Sequence, residues 1–213
     1  MTQLIFPGPA GDLEATLDFP AAVPGIDPQA PAAFAVVCHP HPLFGGTMTN
    51  KVVHTLARAF NELGLPSLRF NFRGVGASTG THDEGRGEVQ DALAAVRYGR
   101  ERWPGAQLWL AGFSFGAAVA VRASSDAAPS RLVAVAPAVD RIEIGAVTPA
   151  CPWLVLLGDA DEVVAPQRVL EWARGLRPQP HIQVMAGAGH FFHGRLPQLR
   201  EAVTAFATVF DPA

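Results

Sequence analysis

Ser114 sits at the centre of Gly112-Phe113-Ser114-Phe115-Gly116. The apolar run Leu108–Ala111 enters this pentapeptide and the small-residue run Ala117–Ala120 leaves it. An apolar strand, a tight Gly-x-Ser-x-Gly turn and a helix make a nucleophile elbow, which lifts a serine hydroxyl clear of a sheet. The glycines are needed because side chains two residues either side of the serine would collide in so sharp a turn. The helix start adds unpaired N–H groups and the positive end of a dipole, which favour a developing oxyanion. The chemistry implied is nucleophilic attack by Ser114 on a carbonyl, with the backbone N–H of Phe115 as one oxyanion donor.

Such a hydroxyl needs a base, and the base needs an orienting acid. Both are expected downstream in the order acid, then histidine. The run Trp153–Leu157 leads into Gly158-Asp159-Ala160-Asp161-Glu162-Val163-Val164. A carboxylate at the C-terminal end of a parallel strand is where open α/β sheets place functional groups. Asp159 lies beside the strand end. Asp161 lies deeper in the loop, before an apolar pair that can pin it. Either aspartate can instead be a solvated or helix-capping residue.

Seven histidines are present. His190, in Gly187-Ala188-Gly189-His190-Phe191-Phe192-His193-Gly194, follows the last strand-like segment. Small residues before it let the backbone approach the site, and Phe191 and Phe192 can wall the site from water. His193 is the alternative. His54, His82 and His181 read as structural or exposed.

His39-Pro40-His41-Pro42 looks at first like a metal-ligand pair. Two histidines leave a zinc site short of a third ligand, however. The loop follows the apolar run Phe34–Cys38, the place from which a second oxyanion donor comes. Pro40 and Pro42 have no N–H, so the donor is His41, Leu43 or a neighbour. Phe44, Phe113, Phe115, Phe191 and Phe192 can line an apolar acyl pocket or serve as plain core. No metal and no organic cofactor is expected.

The elements that must hold these residues alternate along the chain. Strands are read at Leu13–Phe19, Phe34–Cys38, Leu65–Phe72, the elbow strand, Leu132–Ala136, Trp153–Leu157 and Ile182–Met185. Helices are read at Thr49–Leu63, Glu88–Arg102, the elbow helix to Ala123, Pro166–Leu176 and Leu196–Phe210. Ala21–Pro31 reads as a loop. The alternation implies an α/β fold: a doubly wound, mostly parallel sheet with helices on both faces. Pro137–Pro152 is too short for a helical lid and holds at most a short helix at Val139–Ile144, so no cap domain is expected.

The whole composition agrees with this reading. The 213 residues suit one domain, residues 1–213, with 49% hydrophobic and 16% charged residues to fill a sheet covered on both faces. A net charge of −3 and a single lysine, Lys51, lack the basic footprint of a nucleic-acid binder. Cys38 and Cys151 lie far apart in apolar segments and read as free thiols. Met1–Gly8 is too short and too uncharged for a signal peptide. No apolar stretch reaches the roughly 18 residues of a membrane span. A soluble cytoplasmic protein is expected, with neither nucleic acid nor membrane as partner and a homodimer left open.

Five motifs in order carry a resemblance that spans nearly the whole chain. They are His39–Met48, Asn71-Phe72-Arg73-Gly74-Val75-Gly76-Ala77-Ser78, Gly112–Gly116, Gly158–Val164 and Gly189–Phe192. The chain resembles the small lidless serine hydrolases of the α/β-hydrolase superfamily, close in size to dienelactone hydrolases but with serine as nucleophile. The resemblance implies Asp161 rather than Asp159 as the acid, and His41 as the second oxyanion donor. The activity it implies is hydrolysis of a small carboxylic ester or thioester through an acyl-enzyme on Ser114. A peptidase or amidase on the same triad, or a non-catalytic binding module, are the alternatives.

Overall fold

The computed structural model describes residues 1–21, 30–142, 144–145, 147 and 149–209. Eight strands form one sheet: β1 Thr2–Gly8, β2 Gly11–Asp18, β3 Ala33–Cys38, β4 Ser67–Phe70, β5 Gln107–Phe113, β6 Arg131–Val135, β7 Trp153–Gly158 and β8 His181–Met185. Among the described residues five α-helices accompany them: α1 Lys51–Glu62, α2 Arg86–Arg102, α3 Phe115–Ala127, α4 Pro166–Gly175 and α5 Leu196–Val209. The strand order is β1-β2-β4-β3-β5-β6-β7-β8. β1, β2 and β4 pair antiparallel; the pairs from β4 through β8 are parallel.

Strands β3, β5, β6 and β7 are almost wholly buried. Their continuous apolar runs follow from this, because helices cover both faces of a parallel sheet. One core layer packs α2, α3 and α4 against the sheet, and the other packs α1 and α5. Asn50 starts α1 by accepting the Val52 N–H at 2.9 Å, which satisfies one of the unpaired donors of the first turn.

The chain leaves β3 toward β4 on one side and later returns as β5 on the other side of β3. The crevice above β3 and β5 is thus the topological switch point, where open α/β sheets bind ligands. Cys38 of β3 is the register partner of Gly112 of β5, so the His39–Gly46 loop and the elbow leave the sheet side by side.

Thr2–Gly8 is an edge strand in a hairpin with β2, an element that the residue pattern does not announce. The Pro137–Pro152 connection, expected to hold at most a short helix, has a turn at Val139–Arg141 among its described residues, and Ile142 and Ile144 are buried in the core. Most of the Ala21–Pro31 loop, and Phe210 at the end of the last helix, lie outside the described residues.

Candidate active site

Ser114 joins β5 to α3 with φ 55° and ψ −117°. A side-chain-bearing residue adopts this conformation at a cost of about 1–3 kcal/mol. Neighbouring strands hold it there: the Ser114 N–H donates to Val135 O at 2.8 Å. A Cβ on Gly112 would lie 2.1 Å from Gly116 O, and one on Gly116 would lie 2.3 Å from His39 O. The collisions are therefore with backbone, across the turn and against the end of β3.

His190 reaches this serine from the loop after β8. Its Nε2 lies 3.0 Å from Ser114 Oγ and its Nδ1 lies 2.8 Å from Asp161 Oδ2. With Asp161 ionised, Nδ1–H donates to the carboxylate and Nε2 accepts the serine hydroxyl. The other Asp161 oxygen accepts the N–H groups of Val163 and Val164, both at 2.8 Å. Burial opposes charge on this carboxyl, but the bonds from His190, Val164 and Val163 outweigh it and hold its pKa below the usual value.

The structure thus brings Ser114, Asp161 and His190 into one line. Asp159 is not part of it; its Oδ1 accepts the Gly187 N–H at 2.6 Å and braces the turn that leads to His190. His193 stacks on Phe191 instead, with ring centroids 5.9 Å apart.

A cavity of about 400 Å³ opens over Ser114, lined by Pro40, His41, Phe44, Asn50, Phe115, Arg141, Val163, His190 and Phe191 among others. The Phe115 N–H opens α3, and the His41 N–H follows Pro40 at the cavity wall. Neither amide donates to another group among the described residues. Leu43 is a correction. Its N–H is taken by His41 Nδ1 at 3.2 Å, where His41 caps a single 3-10 turn at Pro42–Phe44. Its side chain is 69% exposed and does not line the cavity.

Two of the expected pocket phenylalanines are also corrections. Phe113 is fully buried and supports the His190 ring from beneath at 4.9 Å. Phe192 is fully buried too, because its φ of 52° turns the ring into the α1–α5 layer. Phe44 and Phe191 do line the cavity.

The remaining motif residues hold the cavity wall in place. His39 is wholly buried, and its two ring nitrogens meet backbone. Nδ1 donates to Pro40 O at 2.6 Å, and Nε2 accepts the Phe72 N–H at 3.0 Å. Burial pushes its pKa down to about 3, so it is neutral. Asn71 accepts the Met48 N–H at 2.8 Å, Arg69 donates to Met48 O at 2.7 Å, and Arg73 pairs with Asp91. The Asn71–Ser78 motif is thus a buttress for the His39–Met48 loop. Among the described residues no three His, Cys, Asp or Glu side chains form a cluster able to hold a metal, and none of the helices is long and apolar enough to cross a membrane.

Asn50, Val163 and Arg141 line the cavity without having been singled out in the sequence. Asn50 carries a readable signal, a capping residue before an apolar helical repeat just after the oxyanion loop. Arg141 lies in the β6–β7 connection, whose closeness to the site becomes apparent only when the sheet is assembled.

Comparisons with known proteins agree with this architecture. The model of a family described as serine aminopeptidase, S33, matches residues 29–150. A crystal structure from Xanthomonas campestris, described as an α/β serine hydrolase without lid, is 42% identical with a TM-score of 0.93, covering 100% of this chain and 95% of that one. An α/β serine hydrolase homologue from Coxiella burnetii is 43% identical with a TM-score of 0.89, covering 96% of each chain. An uncharacterised protein of Rickettsia prowazekii is 35% identical over 97% of this chain and 88% of its own. The chain belongs to the family described as serine aminopeptidase, S33, and is a small lidless α/β serine hydrolase.

Proposed function

We propose that this hydrolase cleaves small carboxylic esters or thioesters through an acyl-enzyme on Ser114. The observation that carries the reading is the line Asp161–His190–Ser114, opening into an apolar, unlidded cavity. In this reading His190 takes the Ser114 proton as Oγ attacks the carbonyl, then returns it to the leaving alcohol or thiol. Asp161 keeps the proton on Nδ1 and stabilises the imidazolium. The Phe115 and His41 amides receive the oxyanion, each donor contributing about 3–4 kcal/mol. Water then repeats the cycle on the acyl group. No cofactor enters any step.

The family description raises aminopeptidase activity as a second reading. An aminopeptidase must hold the free ammonium of its substrate, and a carboxylate is the group suited to do so. Among the described residues no Asp or Glu lines the cavity, which favours an ester or thioester. The free thiols Cys38 and Cys151 favour a reducing, cytoplasmic setting.

The test pairs a fluorophosphonate label with a panel of 4-nitrophenyl esters and amino-acid 4-nitroanilides. Labelling at Ser114 together with turnover of esters supports the reading. Turnover of nitroanilides faster than esters overturns it.

A further inference from the structure

Among the described residues the wall of the cavity carries one permanent charge. Those that line it are apolar or neutral except for Arg141, apart from the histidines. The Arg141 guanidinium lies 5.9 Å over the Phe44 ring. Among the described residues it has no carboxylate partner, whereas the neighbouring Asp140 faces Arg168 at 3.7 Å. Phe44 packs on His41 at 4.8 Å, and His41 packs on Phe115 at 4.7 Å. Arg141 therefore belongs to the wall that carries the two free amides. The opposite wall is His190 with Phe191, ring centroids 5.0 Å apart.

These two walls divide the substrate. The leaving group must depart beside His190, which protonates it. The acyl part then lies along Phe44 and His41, with its far end toward Arg141. A cation held over an aromatic face, with no carboxylate among the described residues that line the pocket, is suited to an anion at the end of a chain that packs on that face. The charge of Arg141 is also felt inside the cavity. Burial first, then His82 and Arg141, hold the His41 imidazole below its ordinary pKa, with Glu88 opposing.

From this juxtaposition we infer that Arg141 is a specificity residue, selecting acyl groups that end in a carboxylate: half-esters or half-thioesters of dicarboxylic acids. The inference rests on the ester reading above and names its acyl class.

The probes are mono-4-nitrophenyl adipate and 4-nitrophenyl hexanoate, which share a six-carbon acyl chain and differ in the terminal group. Wild type should favour the adipate roughly five- to tenfold in kcat/KM, the factor expected of one charge-assisted contact at a part-exposed site. The preference should shrink as salt is raised. Arg141→Gln should bring the ratio to about one, Arg141→Lys should keep part of it, and Arg141→Glu should invert it. Arg141 is exposed, so these variants are expected to fold, and the ratio between two esters cancels any general loss. Turnover of both esters at equal kcat/KM by wild type, or an unchanged ratio in Arg141→Gln, overturns this inference alone. No turnover of either ester overturns the ester reading and the inference with it.

Discussion

Glu162, the residue after Asp161, accepts the backbone N–H of His190 at 3.2 Å. The loop after β7 thus grips the loop after β8 at two points, by Asp161 on the imidazole and by Glu162 on the main chain. Asp159 adds a third hold through Gly187. The three carboxylates are close in sequence but do different work, and only Asp161 touches the ring.

That division predicts very different losses. Asp161→Asn should lower kcat about 10⁴-fold, the usual effect of holding the wrong tautomer. Asp159→Asn and Glu162→Gln should each cost less than about tenfold, because they alter only backbone bracing. Steady-state kinetics on one ester substrate decides this; a larger loss in Asp159→Asn would reassign the acid.

Ser114 separates activity from stability. Ser114→Ala should lose on the order of 10⁶ in kcat with little change in thermal unfolding, since alanine meets the same backbone strain. Ser114→Gly should be equally inactive yet more stable by about 1 kcal/mol, because glycine adopts a positive φ without penalty. Equal melting temperatures for the two variants would show that the elbow stores no such strain.

Gly116→Ala tests the contact between the elbow and β3. Its Cβ would approach His39 O to 2.3 Å and Cys38 O to 2.5 Å. Backbone must move, at about 1–3 kcal/mol, and the Phe115 amide moves with it. We expect a lower unfolding midpoint together with a kcat loss of at least about a hundredfold, the effect of one misplaced donor. Full activity would mean that the crowding relaxes away from the site.

His39 gives the protein a built-in acid sensitivity. Its pKa falls from 6.5 to about 3 on folding, chiefly through burial. Between these values the unfolded chain binds a proton that the folded chain refuses, so stability rises with pH across this window and falls on acidification. Below pH 6.5 the loss approaches roughly 1.4 kcal/mol per pH unit for this one group. Urea unfolding at pH 7.0, 6.0 and 5.0 should show that slope, and His39→Gln, although less stable at neutral pH, should show a shallower one. Identical slopes would assign the acid sensitivity to other groups.

Much of this arrangement can be read from residue order. Long apolar runs made β3, β5, β6 and β7 legible, because burial on both faces leaves no other composition. The elbow was legible because Gly112 and Gly116 are demanded by local backbone. Sidedness was not legible. Phe113 and Phe191 are both near His190, but only the fold decides that one ring lies under the histidine and the other beside the cavity. Phe192 escaped because a left-handed φ at a phenylalanine leaves no trace in sequence. Residue order leaves the Leu43 N–H open as a donor, because nothing in it shows that the His41 side chain occupies that N–H. Thr2–Gly8 was missed as a strand because an exposed edge, interrupted by Pro7, lacks both the apolar run and a clean alternation.

The register of β3 against β5 has a consequence for how such a molecule can diverge. His41 lies three residues past Cys38 and Phe115 lies three residues past Gly112, and Cys38 and Gly112 are paired. Adjacent strands are spaced about 4.8 Å apart by backbone hydrogen bonding, so the sheet itself acts as a ruler for the two amides. No surface substitution resets that ruler. Arg141, exposed at the rim between β6 and β7, lies outside it and can change its charge without disturbing the measure. On the proposed reading, inheritance of the reaction and drift of the substrate thus fall to different residues of the same chain.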